Sequence, residues 1–319
     1  MRKANNSKKI ILFFPFLIMA LNPRPLLSQD LDPRAYARLP INATILISGF
    51  NYSQGGILTD PTLPLTDLEA KVEMLSLGVA HTFSLFGQTA QAFAVLPFGW
   101  GQASALIGGQ SESTDRTGFA DMRIRLSVLL LGGKAERLNE FGKNQKRTIL
   151  GTSLTVVAPT GQYFSDKLIN LGTSRWSFKP EIAFSQRLGK RWMFDAYYGV
   201  WFFTTNNSFY PGSSARRQDP LHALQSHISY NITPRAWVAF DATYYTGGQS
   251  TINDVLSDDR QENSRIGATL SLPIGKKNSL KVAVSKGAII RIGADFTSVS
   301  LGWTAVWFKK PDIKQKVSE

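Results

Sequence analysis

The 319-residue chain has no cysteine. That excludes a disulfide-stapled scaffold and a cysteine-ligated metal centre. Acidic residues are scarce, 23 against 36 Lys and Arg, and all charged residues together make up 18%. Disordered chains combine high charge with few aromatics, whereas this one is 11% aromatic and 43% hydrophobic. No apolar run reaches the roughly 18 residues that a membrane-spanning helix requires. Histidine is limited to His81, His222 and His227, none in metal-binding pairs, so no metal is expected. Gly99-Trp-Gly101 and Gly247-Gly248 precede no helical pattern, so they are kink or turn glycines and no phosphate-binding cofactor is expected.

The formal charge of +13 would draw attention to nucleic acid, but part of it lies at the two ends. Arg2, Lys3, Lys8 and Lys9 precede twelve apolar residues, Ile10 to Leu21, then Pro23, Pro25 and Ser28. This order predicts a secretory signal peptide over 1–28 and export through the Sec pathway. Without it the charge falls to +8, and without the Lys-rich tail, 309–319, to +6. Nucleic acid is therefore not an expected partner.

What the remaining chain has is alternation. From Gly118 to Leu131, Ala120, Met122, Ile124, Leu126, Val128 and Leu130 fall on one face. Asp121, Arg123, Arg125 and Ser127 fall on the other. The pattern recurs from Arg175 to Leu188, where Pro180 interrupts it and predicts locally weak pairing. It recurs again around 192–202, 224–232, 238–245, 265–272 and 298–307, with less regular strands at 44–53, 70–86, 89–106, 147–159 and 279–287. Twelve strands result. Their connections alternate between short (87–88, 189–191, 233–235, 274–278) and long (54–69, 160–174, 205–220, 247–261), with 107–117 intermediate. Only 132–146 is long where a short turn is due. Short turns on one side and long loops on the other predict an all-β, up-and-down antiparallel transmembrane barrel over 44–308, with both ends in the periplasm. Residues 29–43 form a lead-in that can act as a plug.

Two features set the orientation. Twelve strands enclose more volume than side chains readily fill, so the bulky apolar face is assigned to lipid. Arg123 or Arg125 in lipid would cost roughly 2–4 kcal/mol each near the midplane, so the ionic face is assigned to the lumen. The predicted lumenal set is Asp121, Arg123, Arg125, Arg175, Lys179, Glu181, Asp195, His227, Asp241, Arg265 and Lys281. These groups either form a mostly basic solute pathway or pair with one another and close the lumen. Trp176, Trp192, Phe202, Trp237, Tyr244, Trp303 and Trp307 sit near strand ends and are assigned to the two membrane interfaces. His227 should face Asp241 across the 233–235 turn, but no nucleophilic serine stands beside them and no catalytic residue is assigned. The closing Val299-x-Leu301-x-Trp303-x-Ala305-x-Trp307-Phe308 looks like an outer-membrane assembly signal, which makes the barrel-assembly machinery an expected partner. It departs from that pattern in continuing for eleven residues.

Three segments carry a family resemblance: Gly118-Phe-Ala-Asp-Met-Arg-Ile-Arg-Leu126, Ala158-Pro-Thr-Gly-Gln-Tyr163 and Leu168-Ile-Asn-Leu-Gly-Thr-Ser-Arg-Trp-Ser-Phe-Lys-Pro-Glu181. From about residue 40 to Phe308 the chain resembles the outer-membrane family called MetA-pathway of phenol degradation. The resemblance implies an outer-membrane barrel labelled a transporter and linked with aromatic or other hydrophobic compounds. It brings no catalytic motif. The expected function is thus passive passage of small, hydrophobic or aromatic molecules through a charged lumen. Two alternatives stand beside it: a structural or lipid-interacting barrel without transport, and an outer-membrane hydrolase.

Overall fold

The computed structural model describes residues 31–58, 65–141, 147–167, 169–211 and 214–309. The expected signal peptide, the first two residues of the lead-in and residues 310–319 of the tail lie outside the described residues. Among the described residues there is no helix. The first half of the chain forms β1 (Ala43–Leu58), β2 (Leu65–Leu85), β3 (Gln88–Ile107), β4 (Gln110–Phe119), β5 (Met122–Leu131), β6 (Thr148–Ala158), β7 (Ser177–Leu188) and β8 (Trp192–Phe203). Then come β9 (Arg216–Gln218), β10 (Leu221–Asn231), β11 (Trp237–Gly247), β12 (Ser250–Ile252), β13 (Val255–Leu256), β14 (Gln261–Ile274), β15 (Asn278–Ile290) and β16 (Gly293–Phe308).

The long strands pair antiparallel, each with its neighbours, and β1 pairs with both β2 and β16. The latter seam runs from Ala43↔Phe308 to Leu58↔Gly293 and closes the sheet. The lower part of β3 (Ala90–Val95) pairs with β5, and its upper part (Phe98–Ile107) pairs with β4. β4 and β5 are therefore one strand, broken at Ala120 and Asp121. Counting them once gives twelve strands in a closed antiparallel barrel. The short β9, β12 and β13 form a separate small sheet.

Two expected connections prove shorter than the alternation implied. Residues 107–117 are not a connection: all but the Gly108–Gly109 turn belong to the strands β3 and β4. β4, Gln-Ser-Glu-Ser-Thr-Asp-Arg-Thr-Gly-Phe, is polar and largely exposed, so no apolar face marks it in the sequence. Likewise β1 and β2 extend into 54–69, because their register continues to Gly56↔Glu69. β2 and β3 reach 21 and 20 residues, whereas β5 and β6 have 10 and 11. A spanning strand needs about 9–11 residues. The surplus of about ten, at roughly 3.4 Å each, lifts one side of the wall on the order of 30 Å above the rest. This excess lies at the end carrying the longer loops, termed the loop rim; Ala43 and Phe308 mark the opposite, terminal rim. At Pro180 the β7–β8 register passes from Phe178↔Phe202 to Glu181↔Gly199 with no pairs between, as its missing N–H requires.

The alternation places apolar side chains outward. Leu126 is 44% exposed while the next residue, Ser127, is 8% exposed. Ile124, Leu154, Ile182, Phe240 and Leu301 are exposed in the same sense. Trp176, Trp192, Phe202, Tyr244, Trp303 and Trp307 also project outward. Trp237 does not, and its assignment to a membrane interface is corrected. It shares a face with Ala239 and Asp241, both buried, and lies beneath a guanidinium of the lead-in. Position at a strand end suggested an interface aromatic, but parity places the ring inside.

Because acyl chains would surround this outer face, Leu126→Arg should destabilise the barrel by about 2–4 kcal/mol in urea titrations of vesicle-folded protein. A loss below about 0.5 kcal/mol would remove Leu126 from the lipid-facing belt.

Candidate functional site

The lead-in enters the barrel from the terminal rim and crosses its interior. At the rim, Ile41 N–H donates to Glu136 O and Asn42 N–H to Thr82 O, while Arg38 pairs with Glu136 at 2.8 Å. The long 132–146 connection is thus where the lead-in is moored. Further in, Tyr36 is 1% exposed and packs with Leu129, Ile149, Ala183 and Tyr197. Its hydroxyl donates to Glu181 Oε1 at 2.9 Å and lies 2.8 Å from Ser153 Oγ. Gly151 makes room for the ring: a Cβ there would lie 2.5 Å from Tyr36 Cδ1. Two strands along the wall, on β10, Arg34 donates to Ser229 Oγ at 2.9 Å and Asn231 Oδ1 at 2.8 Å. Asp32 pairs with Lys281 at 2.8 Å, and Leu31 approaches Gly267, where a Cβ would lie 2.8 Å away. β6 and β7 stand opposite β15 and β16 in the ring. A segment bonded to both sides must span the lumen.

The predicted lumenal residues separate into clusters. Arg125, Lys179 and Glu181 meet around Tyr36: Glu181 receives Arg125 at 3.3 Å and Lys179 at 3.0 Å, and Arg125 lies 4.7 Å from the Tyr36 ring centre. Burial is the main cause that pushes the Tyr36 phenol up to about 12, with Arg125 acting against it. The phenol therefore stays a donor throughout the physiological range. In a second cluster, Ser185, Asp195, His227, Asp241 and Gly267 form one register row across β7, β8, β10, β11 and β14. His227 Nδ1 lies 2.7 Å from Asp241 Oδ1, and Thr269 Oγ1 donates to Asp241 Oδ2 at 2.6 Å. His227 Nε2 has no hydrogen-bond partner among the described residues, so no hydroxyl nucleophile is engaged there. Arg265 stands apart on β14 and donates to Phe296 O at 2.8 Å. Arg123 is inward and half-buried, outside both clusters.

The remaining two predicted groups serve the loop rim. Asp121, at the β4–β5 break, accepts from Gly161 N–H and from both the N–H and hydroxyl of Thr173. It thereby ties down the loop between β6 and β7. Arg175 donates to Gln218 of β9 and lies 4.3 Å from the Phe203 ring centre. The loop leans onto the inner face of β3 through Ile169 and Leu171 beside Gly101. Tyr163 O–H donates to Phe209 O in the following loop, and Asn206 donates to Tyr163 Oη and Thr173 O. Beneath this cover lies an inward apolar band, Val157, Trp201, Leu221, Ala223 and Tyr245, with Phe203 against it. Lys179 Nζ lies 5.2 Å from the Trp201 ring centre.

Sequence reasoning missed Arg34, Tyr36, Ser153 and Trp201 as members of this interior. Trp201 shares parity with Asp195 and Tyr197, a signal that was present. Arg34 and Tyr36 lie in a segment without periodicity, and no local signal gives their partners, 195 and 145 residues away.

A family profile described as "Putative MetA-pathway of phenol degradation" matches residues 48–290. A solved structure titled as the COG4313 outer membrane channel from Pseudomonas putida F1 has a TM-score of 0.76 at 24% identity, covering 87% of this chain and 100% of that one. It shares the fold. The transport unit of the autotransporter AIDA-I from Escherichia coli gives a TM-score of 0.49 at 10% identity, covering 93% and 97%, a likeness too low to carry any conclusion. No curated protein matches.

If Tyr36 holds the lead-in in place, trypsin cleavage after Arg34 and Arg38 should report its release. Tyr36→Ala removes a buried aromatic worth about 3 kcal/mol or more, so cleavage should accelerate about hundredfold. Tyr36→Phe keeps the ring and loses the hydroxyl contacts, for about tenfold. The raised phenol value means its contribution is complete below pH 10 and lost only as pH rises through about 12. Rates should therefore show no Tyr36-dependent change between about pH 7 and 9; equal cleavage in all three proteins would free the lead-in from this residue.

Proposed function

The chain belongs to the MetA-pathway of phenol degradation family, and from that premise we propose that it is an outer-membrane channel for passive passage of small hydrophobic or aromatic molecules. The terminal rim is then periplasmic and the loop rim external. The observation that carries the reading is the inward apolar band of Trp201, Tyr245, Leu221 and Phe203. A pore for ions gains nothing from aromatic rings on its inner wall, where lumenal side chains are ordinarily polar. An apolar solute desolvates favourably there, at roughly 25 cal/mol for each Å² of apolar surface removed from water. Lys179 and Arg175, held over Trp201 and Phe203, add cations that favour electron-rich rings.

In this reading the conformation described is a closed one. Loops cover the band at one end and the lead-in crosses the lumen at the other, so passage requires both to move. The lumenal ions are consumed in closure: Glu181 by Tyr36, Arg125 and Lys179, and Lys281 by Asp32. Neither cluster is arranged as a bare basic constriction. The reading without transport also has an observation in its favour. A cavity of about 380 Å³ on the outer surface, lined by Phe50, Lys71, Glu73, Trp100 and Gln102, offers rings and polar groups at the height where lipid headgroups would begin.

Flux separates the two. Gly151→Val places a side chain where Tyr36 now rests and should unseat the lead-in. Planar-bilayer recordings should then show open events at least tenfold more often than in the parent, and vesicles should take up benzyl alcohol faster. Silence in the parent, in Gly151→Val and in Tyr36→Ala would sink the channel and leave the lipid-interacting barrel.

A further inference from the structure

Arg34 belongs to a hydrogen-bonded turn, its carbonyl accepting from Ala37 N–H, but its side-chain contacts are those of a bound ligand. Its guanidinium lies 4.5 Å from the Trp237 ring centre while donating to Ser229 and Asn231. An indole face beneath a planar cation, with oxygen acceptors at its edge, is a cation-recognition geometry. Ser229 is fully buried, as is Asp195. Burial lowers the Arg34 guanidinium from its ordinary value, and Asp195 counters that effect. Lys281 also approaches Trp237, 5.9 Å from its centre, but is held by Asp32.

Arg34 fits this wall imperfectly. Its backbone sits in a turn at φ of 63°, a left-handed conformation that a non-glycine residue disfavours. Among the described residues its Nη2 is buried without a hydrogen-bond partner. The tether thus fixes Arg34 in a pose that leaves one donor unused. A free guanidinium suffers neither constraint. Arg34 keeps one advantage, the high effective concentration that tethering confers.

We propose that Trp237, Ser229 and Asn231 form a binding site for small guanidinium-bearing solutes, and that Arg34 is its intramolecular occupant. A soluble guanidinium that takes the site displaces Arg34 and loosens the lead-in, so the ligand acts as a releasing effector distinct from any transported aromatic. Binding at this wall is an equilibrium property and does not depend on whether solutes cross the barrel.

The test is calorimetry on detergent-folded full-length protein, with N-propylguanidinium as probe and N-propylurea as its neutral planar analogue. If Arg34 occupies the site more than about nine-tenths of the time, Arg34→Ala should bind the guanidinium at least tenfold more tightly than the parent. The urea should bind at least tenfold more weakly than the guanidinium, and adding Trp237→Leu should abolish binding. In the parent, millimolar N-propylguanidinium should accelerate chymotrypsin cleavage after Tyr36, a protease whose specificity pocket takes aromatic rings and not the guanidinium probe, and this readout needs no variant to fold. Equal affinity in parent and Arg34→Ala, equal affinity for urea, survival of binding in Trp237→Leu, or unchanged cleavage would each overturn the site. Lost flux with retained binding would defeat the channel alone, and retained flux without binding would defeat this site alone.

Discussion

The seam between the first and last long strands governs this molecule. In hydrocarbon, a backbone N–H or carbonyl without a partner costs several kcal/mol, so a sheet can stand there only if it has no edge. The register from Ala43↔Phe308 to Leu58↔Gly293 removes both edges together. Once the wall is closed, alternation leaves each side chain two destinations, and the lipid claims the apolar set. The interior must then accommodate every Asp, Glu, Lys and Arg of the opposite parity. That obligation brings Glu181 together with Arg125 and Lys179, and sets Asp241 beside His227 and Thr269.

The lead-in is the second half of that solution. Its residues supply Tyr36 to Glu181, Asp32 to Lys281 and Arg34 to Ser229 and Asn231, satisfying groups the wall alone leaves open. It also needs space, and Gly151 and Gly267 provide it where any side chain would collide. Closure therefore rests on a few directional contacts and two shape complementarities, without a broad hydrophobic interface. Such an arrangement can be released by changes of a few kcal/mol, which suits a gate better than a permanent core.

The wall was legible in the sequence because period-two alternation maps directly onto face. Gly118–Leu131 alone separates Ile124, Leu126 and Val128 from Arg123, Arg125 and Ser127, and the structure keeps that separation. β4 escaped because both its faces are polar and no periodicity marks it. Trp237 was misassigned because its place at a strand end was weighed above its parity with Ala239 and Asp241. The interior was partly legible: the facing of His227 and Asp241 follows from a short turn between adjacent strands. The meeting of Tyr36 with Ser153 and Glu181 does not, since those partners are 117 and 145 residues away and their encounter depends on barrel closure.

The uneven height of the wall has a consequence for anything arriving from outside. β2, β3 and β4 rise well past the remaining strands, forming a parapet on one flank of the mouth. With the loop rim external, as proposed above, whatever approaches the mouth meets this crest on one flank and a lower wall on the other. Sequence change at the exposed tip of β4, Gln110–Ser113, reshapes that crest while leaving the interior untouched.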